Sequence, residues 1–221
     1  MAIAFDAASS VSGTNVSSLS WSHATASLTN GIVIVTGGGY NWAAWSVSNC
    51  TYDAVGIIKK FDYVRPSGDK DHITAWYKVA PAAGSKQIVL SFSATLETAA
   101  AGAVTLSGVD QSTPLDTAAT AAGSSGNPTV AVSSATDDLV FDIVLVSYGS
   151  GGTITPDASQ TQRWEKESIG AYSYGCSTKP GAASVTMTWT QSGGLWIIGG
   201  CSINPAAAAG PPVGGMFLTF P

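Results

Sequence analysis

The residues with chemistry to offer are few and widely spaced. The chain has 221 residues, two histidines, three cysteines and 14 acidic side chains, with Glu97, Glu165 and Glu167 as its glutamates. Nucleophilic catalysis needs a nucleophile, a base and an acid that orients the base. His23 falls in strand phase with Trp21, which predicts a packed or edge histidine. His72 follows Asp69-Lys70-Asp71, which reads as a solvated turn. No G-x-S-x-G elbow occurs. Glycoside hydrolysis needs two carboxylates facing each other. Glu165 and Glu167 are two apart, so an extended segment sets them side by side on one face. Asp69, Asp71 and Asp110 offer oxygen ligands of the kind calcium takes, without EF-hand spacing. Gly37-Gly38-Gly39 lacks the helix and Lys of a phosphate loop. The expectation is no enzyme, with no catalytic residue, no metal and no cofactor.

Aromatic side chains give the stronger signal. Tyr40, Trp42 and Trp45 fall in one stretch, GGGYNWAAW, directly after an apolar run. Such rings stack on sugars or pack beneath a partner. The stretch is therefore a candidate ligand platform or a plug at the end of the core. Trp164, Trp189 and Trp196 sit within strand patterns and read as core. A second apolar cluster closes the chain: Met216, Phe217, Leu218 and Phe220 in MFLTFP, after the linker NPAAAAGPPVGG. A short apolar segment on a linker suits docking onto another subunit, as an added strand or as anchors in pockets.

The elements that position these residues are strands. Ala, Ser, Gly and Thr number 32, 29, 25 and 22, and charged residues make up 10% of the chain. Apolar residues alternate with period two, and Gly, Pro, Asn and Ser cluster between the runs. Residues 16–25, 47–52, 73–79, 86–95, 101–109, 138–147, 161–167, 171–177, 183–190 and 195–203 are among the predicted strands. GIVIVT, residues 31–36, is continuously apolar and suits a strand buried on both faces. The Ala-rich stretches at 99–103 and 118–122 fit strand or helix. Roughly twelve strands predict an all-β, antiparallel sandwich of jelly-roll type over residues 1–204. Residues 205–221 then form the linker and docking tail. Ser and Thr cover outward faces where other proteins use Lys and Glu.

Charge and cysteine usage exclude several classes. The net charge is −5, with no basic cluster beyond Lys59-Lys60, so nucleic acid is not an expected partner. No apolar run spans a membrane, and the start, MAIAFDAASS, lacks the pattern of a secretory signal. Cys50, Cys176 and Cys201 form no disulfide framework, though a Cys176–Cys201 bridge is open if their strands are neighbours.

Several segments resemble a known module: IAFDAASS near the start, then GVDQSTPLDTAA, SSATDDLVFDIV, QTQRW, TKPGAASVTMTW and IIGGCSINPA in that order. The pattern is similar to a β-sandwich module of bacteriophage virion proteins and modular bacterial surface proteins, over about residues 2–205. The resemblance implies a structural or binding role, in display or adhesion. With the missing secretory signal and disulfide framework, the small polar surface, the sandwich and the apolar tail, the expectation is a bacteriophage virion protein: a capsid decoration, a fibre subunit or a tail appendage. Docking through the tail or a sheet edge makes other virion subunits, or further copies of this chain, the expected partners. A glycan-binding adhesin module using the aromatic stretch is the alternative.

Overall fold

The structure, a computed structural model, describes residues 1–66, 70–148 and 152–207. Met216, Phe217, Leu218 and Phe220 lie outside the described residues. The described chain is all-β and antiparallel. Its strands are β1 (Ala4–Thr25), β2 (Ile32–Tyr40), β3 (Val47–Tyr52), β4 (Val55–Gly56), β5 (Ile58–Val64), β6 (His72–Val79), β7 (Gly84–Ser107), β8 (Ala119–Gly123), β9 (Thr129–Ser133), β10 (Leu139–Ser147), β11 (Ile154–Pro156), β12 (Thr161–Ile169), β13 (Tyr172–Pro180), β14 (Ser184–Gln191) and β15 (Leu195–Ile203).

Two strands are longer than the alternation predicts. β1 runs for 22 residues and β7 for 24, paired along almost their whole lengths. Asn15 absorbs a bend in β1 by taking a left-handed φ of 55°, and the register shifts between Val16 and Ser18. Asn tolerates that conformation better than other non-glycine residues. The strand therefore turns a corner without ending. The Ala stretches at 99–103 and 118–122 are both strand.

One strand plan occurs twice. In the first half the orders are β5-β6-β2-β7-β1 and β3-β7-β1, with β7 and β1 shared through their bends. In the second half they are β12-β13-β10-β15-β8 and β11-β14-β9. The registers match residue by residue. Ile34 lies between Tyr77 and Val104, and Phe141 lies between Thr178 and Cys201. Both outer strands carry a register shift at the same place, before Phe61 in β5 and before Trp164 in β12.

These leaves stack in four layers around three cores. Ile34, Ile73, Val104, Phe141, Leu145 and Ile197 belong to the central core, where the two five-stranded leaves meet. Val33, Val35, Trp76, Leu90 and Phe92 fill the first half's own core. Val140, Val144, Met187 and Trp189 fill that of the second. β2 is thus buried throughout, as its continuous apolar run requires. Gly102 and Gly199 occupy equivalent positions in the central core. A Cβ on Gly102 would stand 2.5 Å from Trp164, and one on Gly199 would stand 2.8 Å from Phe61. Each half thus lends an aromatic ring to a bare backbone patch on the other.

The cysteines are all free and buried. Cys176 and Cys201 lie on β13 and β15, which flank β10 on opposite sides, so their strands are not neighbours. Burial pushes the Cys50 and Cys201 thiols up to about 12. No helix among the described residues is long and apolar enough to cross a membrane.

Candidate functional site

The strands of both halves end together at one pole. Tyr40 closes β2, Ser147 closes β10, and the bends of β1 and β7 lie beside them. The turn from β12 to β13 completes the ring with Gly170, whose φ of 62° favours glycine. Between these elements opens a groove of about 450 Å³, lined by Asn15, Tyr40, Trp42, Glu97, Thr98, Tyr148 and Tyr172 among others. A depression of about 640 Å³ lies at the opposite pole, beside Met1–Ile3 and Pro205–Ala207. Its residues supply no aromatic ring and it borders the end of the described chain, so the groove is the better-built site.

The groove has a fixed aromatic floor. Tyr40 stacks on Tyr172 with ring centroids 4.8 Å apart and an interplanar angle of 23°. Trp42 meets Tyr40 edge-on at 5.4 Å and 76°. Tyr40 is 9% exposed, whereas Trp42 is 75% exposed. The burial of Tyr40 is the reason Trp42 can stand proud on a rigid base. Thr98 bonds the Tyr174 hydroxyl at 2.8 Å, and the Tyr148 hydroxyl donates to the Thr153 carbonyl at 2.7 Å. Burial raises the Tyr172 and Tyr148 phenols above their ordinary range, and Glu167 and Glu165 add to the effect on Tyr148. These hydroxyls stay neutral. Glu97 and Asn15 contribute a carboxylate and an amide to the rim.

The three aromatic residues of the sequence motif part company. Tyr40 and Trp42 line the groove; Trp45 does not. Its ring packs on His72 at 4.6 Å and on Phe92 at 5.6 Å, and its Nε1 donates to the Lys70 carbonyl at 2.8 Å. Trp45 is therefore the plug that the other reading of the stretch requires. His72 is likewise not at a solvated turn. It is 2% exposed in β6, covered by Trp45 and bonded to Asp62. Beside it the buried Arg65 and Asp71 form an ion pair at 3.3 Å.

His23 is packed, as its phase predicts, and sits in a chain of polar contacts. Ser9 Oγ is 2.7 Å from His23 Nδ1, and His23 Nε2 is 3.3 Å from Thr105 Oγ1. Thr105 donates to Asp6 at 2.8 Å. Burial lowers the His23 pKa despite the opposing charge of Asp6. Trp21 Nε1 also donates to Ser9 Oγ, at 3.0 Å. That bond occupies one of the two lone pairs of the serine oxygen. The chain ties β1 to β7.

Glu165 and Glu167 stand side by side on β12. Burial, then Glu167, pushes the Glu165 carboxyl up to about 7. Glu167 accepts the Ile154 N–H at 2.7 Å. Asp110 caps a turn: bonds from the Thr113 and Ser112 N–H groups hold it below the usual carboxylate range. Among the described residues, no three His, Cys, Asp or Glu side chains gather as metal ligands.

Tyr148, Tyr172, Glu97 and Asn15 carry no local motif. Each comes from a different bend or strand end, and only the repeated strand plan brings them together. No protein-family model matches the chain, and no curated protein matches it.

Proposed function

We propose that this chain is a non-enzymatic display and binding module whose polar groove takes a glycan. The carrying observation is Trp42, 75% exposed on a base of two stacked tyrosines. An exposed ring held rigid offers a sugar its apolar face at low entropic cost. Glu97, Asn15 and the neutral tyrosine hydroxyls supply the donors and acceptors that sugar hydroxyls need. Tyr40 supports the platform and Trp45 anchors its loop. A glycan array followed by calorimetry tests this reading. Trp42→Ala is expected to weaken the best ligand at least about tenfold, the scale of one lost stacking contact. Equal binding by parent and variant contradicts it.

The wider setting we read from the resemblance is a structural subunit of a bacteriophage virion: a capsid decoration, fibre or tail appendage. It is held among other virion subunits, or copies of itself, by a sheet edge and by Met216, Phe217, Leu218 and Phe220. A chain in which only 10% of the residues are charged, folded as a sandwich with open strand edges, favours this reading. Deleting residues 216–221 is expected to leave a folded protein that no longer enters its assembly. Full incorporation of the truncated chain would remove the tail from the account.

A further inference from the structure

A strand at the edge of a sheet presents a row of unpaired N–H and C=O groups, and proteins blunt such edges with charge, bulges, proline or brevity. Most edges of this chain are blunted. β4 has two residues and β11 has three. β5 carries Lys59, Lys60 and Asp62 with a register shift, and β12 carries Arg163, Glu165, Lys166 and Glu167 with another. β8 and β9, which take the place of β1 in the second half, have five residues each, with Gly126 and Pro128 between them.

β1 has none of these devices over residues 18–25. Among the described residues it pairs with β7 alone, so its outer edge has no strand beside it. Leu19, Trp21, His23 and Thr25 point inward, while Ser18, Ser20, Ser22 and Ala24 are exposed. The segment holds no Asp, Glu, Lys or Arg.

We propose that residues 18–25 of β1 are a self-association edge, to which a second copy of this chain adds its own 18–25 segment, antiparallel across a twofold axis. The two β4-β3-β7-β1 leaves would join into one eight-stranded leaf. The second copy is the occupant that the chemistry favours. A twofold contact needs a segment complementary to itself. No register of this segment against its inverted copy opposes two like charges, whereas copies of β5 or β12 would bring charged side chains together. The exposed row sets small hydroxyl side chains against one another, which suits close cross-strand pairs. The inference rests on the assembly reading above and names its contact.

Sedimentation of the full chain over a concentration series tests it. A reversible dimer is expected. Ser20→Lys with Ser22→Lys should raise its dissociation constant about tenfold or more, because lysines on an edge repel an incoming strand. Far-UV circular dichroism should not change. Gln87→Lys, exposed on the same leaf but on the central strand β7, should leave the dimer intact. If the double variant misfolds, Ala24→Lys gives the same reading. A parent that stays monomeric overturns the proposal, as does a dimer that survives the lysines. A dimer that survives them but disappears on deleting residues 216–221 overturns this edge and keeps the assembly reading.

Discussion

In the first half, β1 and β7 run unbroken through both leaves. In the second half the same path is cut, into β8 and β9 on one side and β14 and β15 on the other. Backbone chemistry accounts for the difference. Where β7 bends through Ala94, Thr95 and Leu96, the second half has Gln191, Ser192 and Gly193, with Gly193 and Gly194 at φ of 111° and 153°. Where β1 bends at Asn15, the second half has Gly126 and Pro128. Glycine at positive φ and proline without an N–H interrupt a strand ladder. One fold plan thus tolerates both finishes. The uncut half keeps a long open edge and the platform Trp42; the cut half keeps short edges and the polar core described next.

The largest predicted contrast concerns Trp189, which takes the place of Phe92. Trp189 is fully buried, and its Nε1 donates to Asp142 at 2.7 Å. Truncating a buried aromatic costs about 3–5 kcal/mol. Trp189→Ala should fall at the upper end, because it also leaves Asp142 short of a donor. Phe92→Ala should fall at the lower end. Denaturant titration of both variants checks the order, and the reverse order breaks the comparison.

Gly194 and Glu97 come next, each five residues before the equivalent Gly199 and Gly102. A Cβ on Gly194 would stand 2.1 Å from the Ser147 carbonyl oxygen. Gly194→Ala should cost about 1–3 kcal/mol through clash and strain. Glu97→Ala should change stability by less than about 0.5 kcal/mol and weaken ligand binding at the groove.

Asp142 sits where the first half has Val35. Burial pushes its carboxyl up to about 7, against bonds from Trp189 and Ser177. Unfolded, it titrates near 3.9, so between the two values the folded state keeps a proton that the unfolded chain releases. Its contribution is full below about pH 4 and is lost as pH rises to about 7, with a slope of at most about 1.4 kcal/mol per pH unit. Asp142→Asn should flatten that part of the stability curve. Glu165 acts in the same direction, so the test is cleanest in a Glu165→Gln background. An unchanged slope would place the titration elsewhere.

Much of the strand content was legible in the alternation of apolar and small polar residues, and the double burial of β2 in GIVIVT. The repeat was not, because equivalent positions share geometry and many differ in residue type: Val35 with Asp142, Thr36 with Ile143, Glu97 with Gly194. Local pattern also read His72 as a solvated turn, since the Trp45 and Asp62 that cover it come from other elements. The groove was half legible. Tyr40 and Trp42 stand in one motif, but Tyr172 and Tyr148 reach them only through the packing of one half on the other.

The groove as a glycan site is the central claim, and Trp42 tests it most directly. Calorimetric titration of the best array ligand into parent and Trp42→Ala, with thermal unfolding of both, separates binding from folding. The account predicts a loss of affinity of about tenfold or more with a stability change below about 0.5 kcal/mol. Unchanged affinity in the folded variant would contradict it.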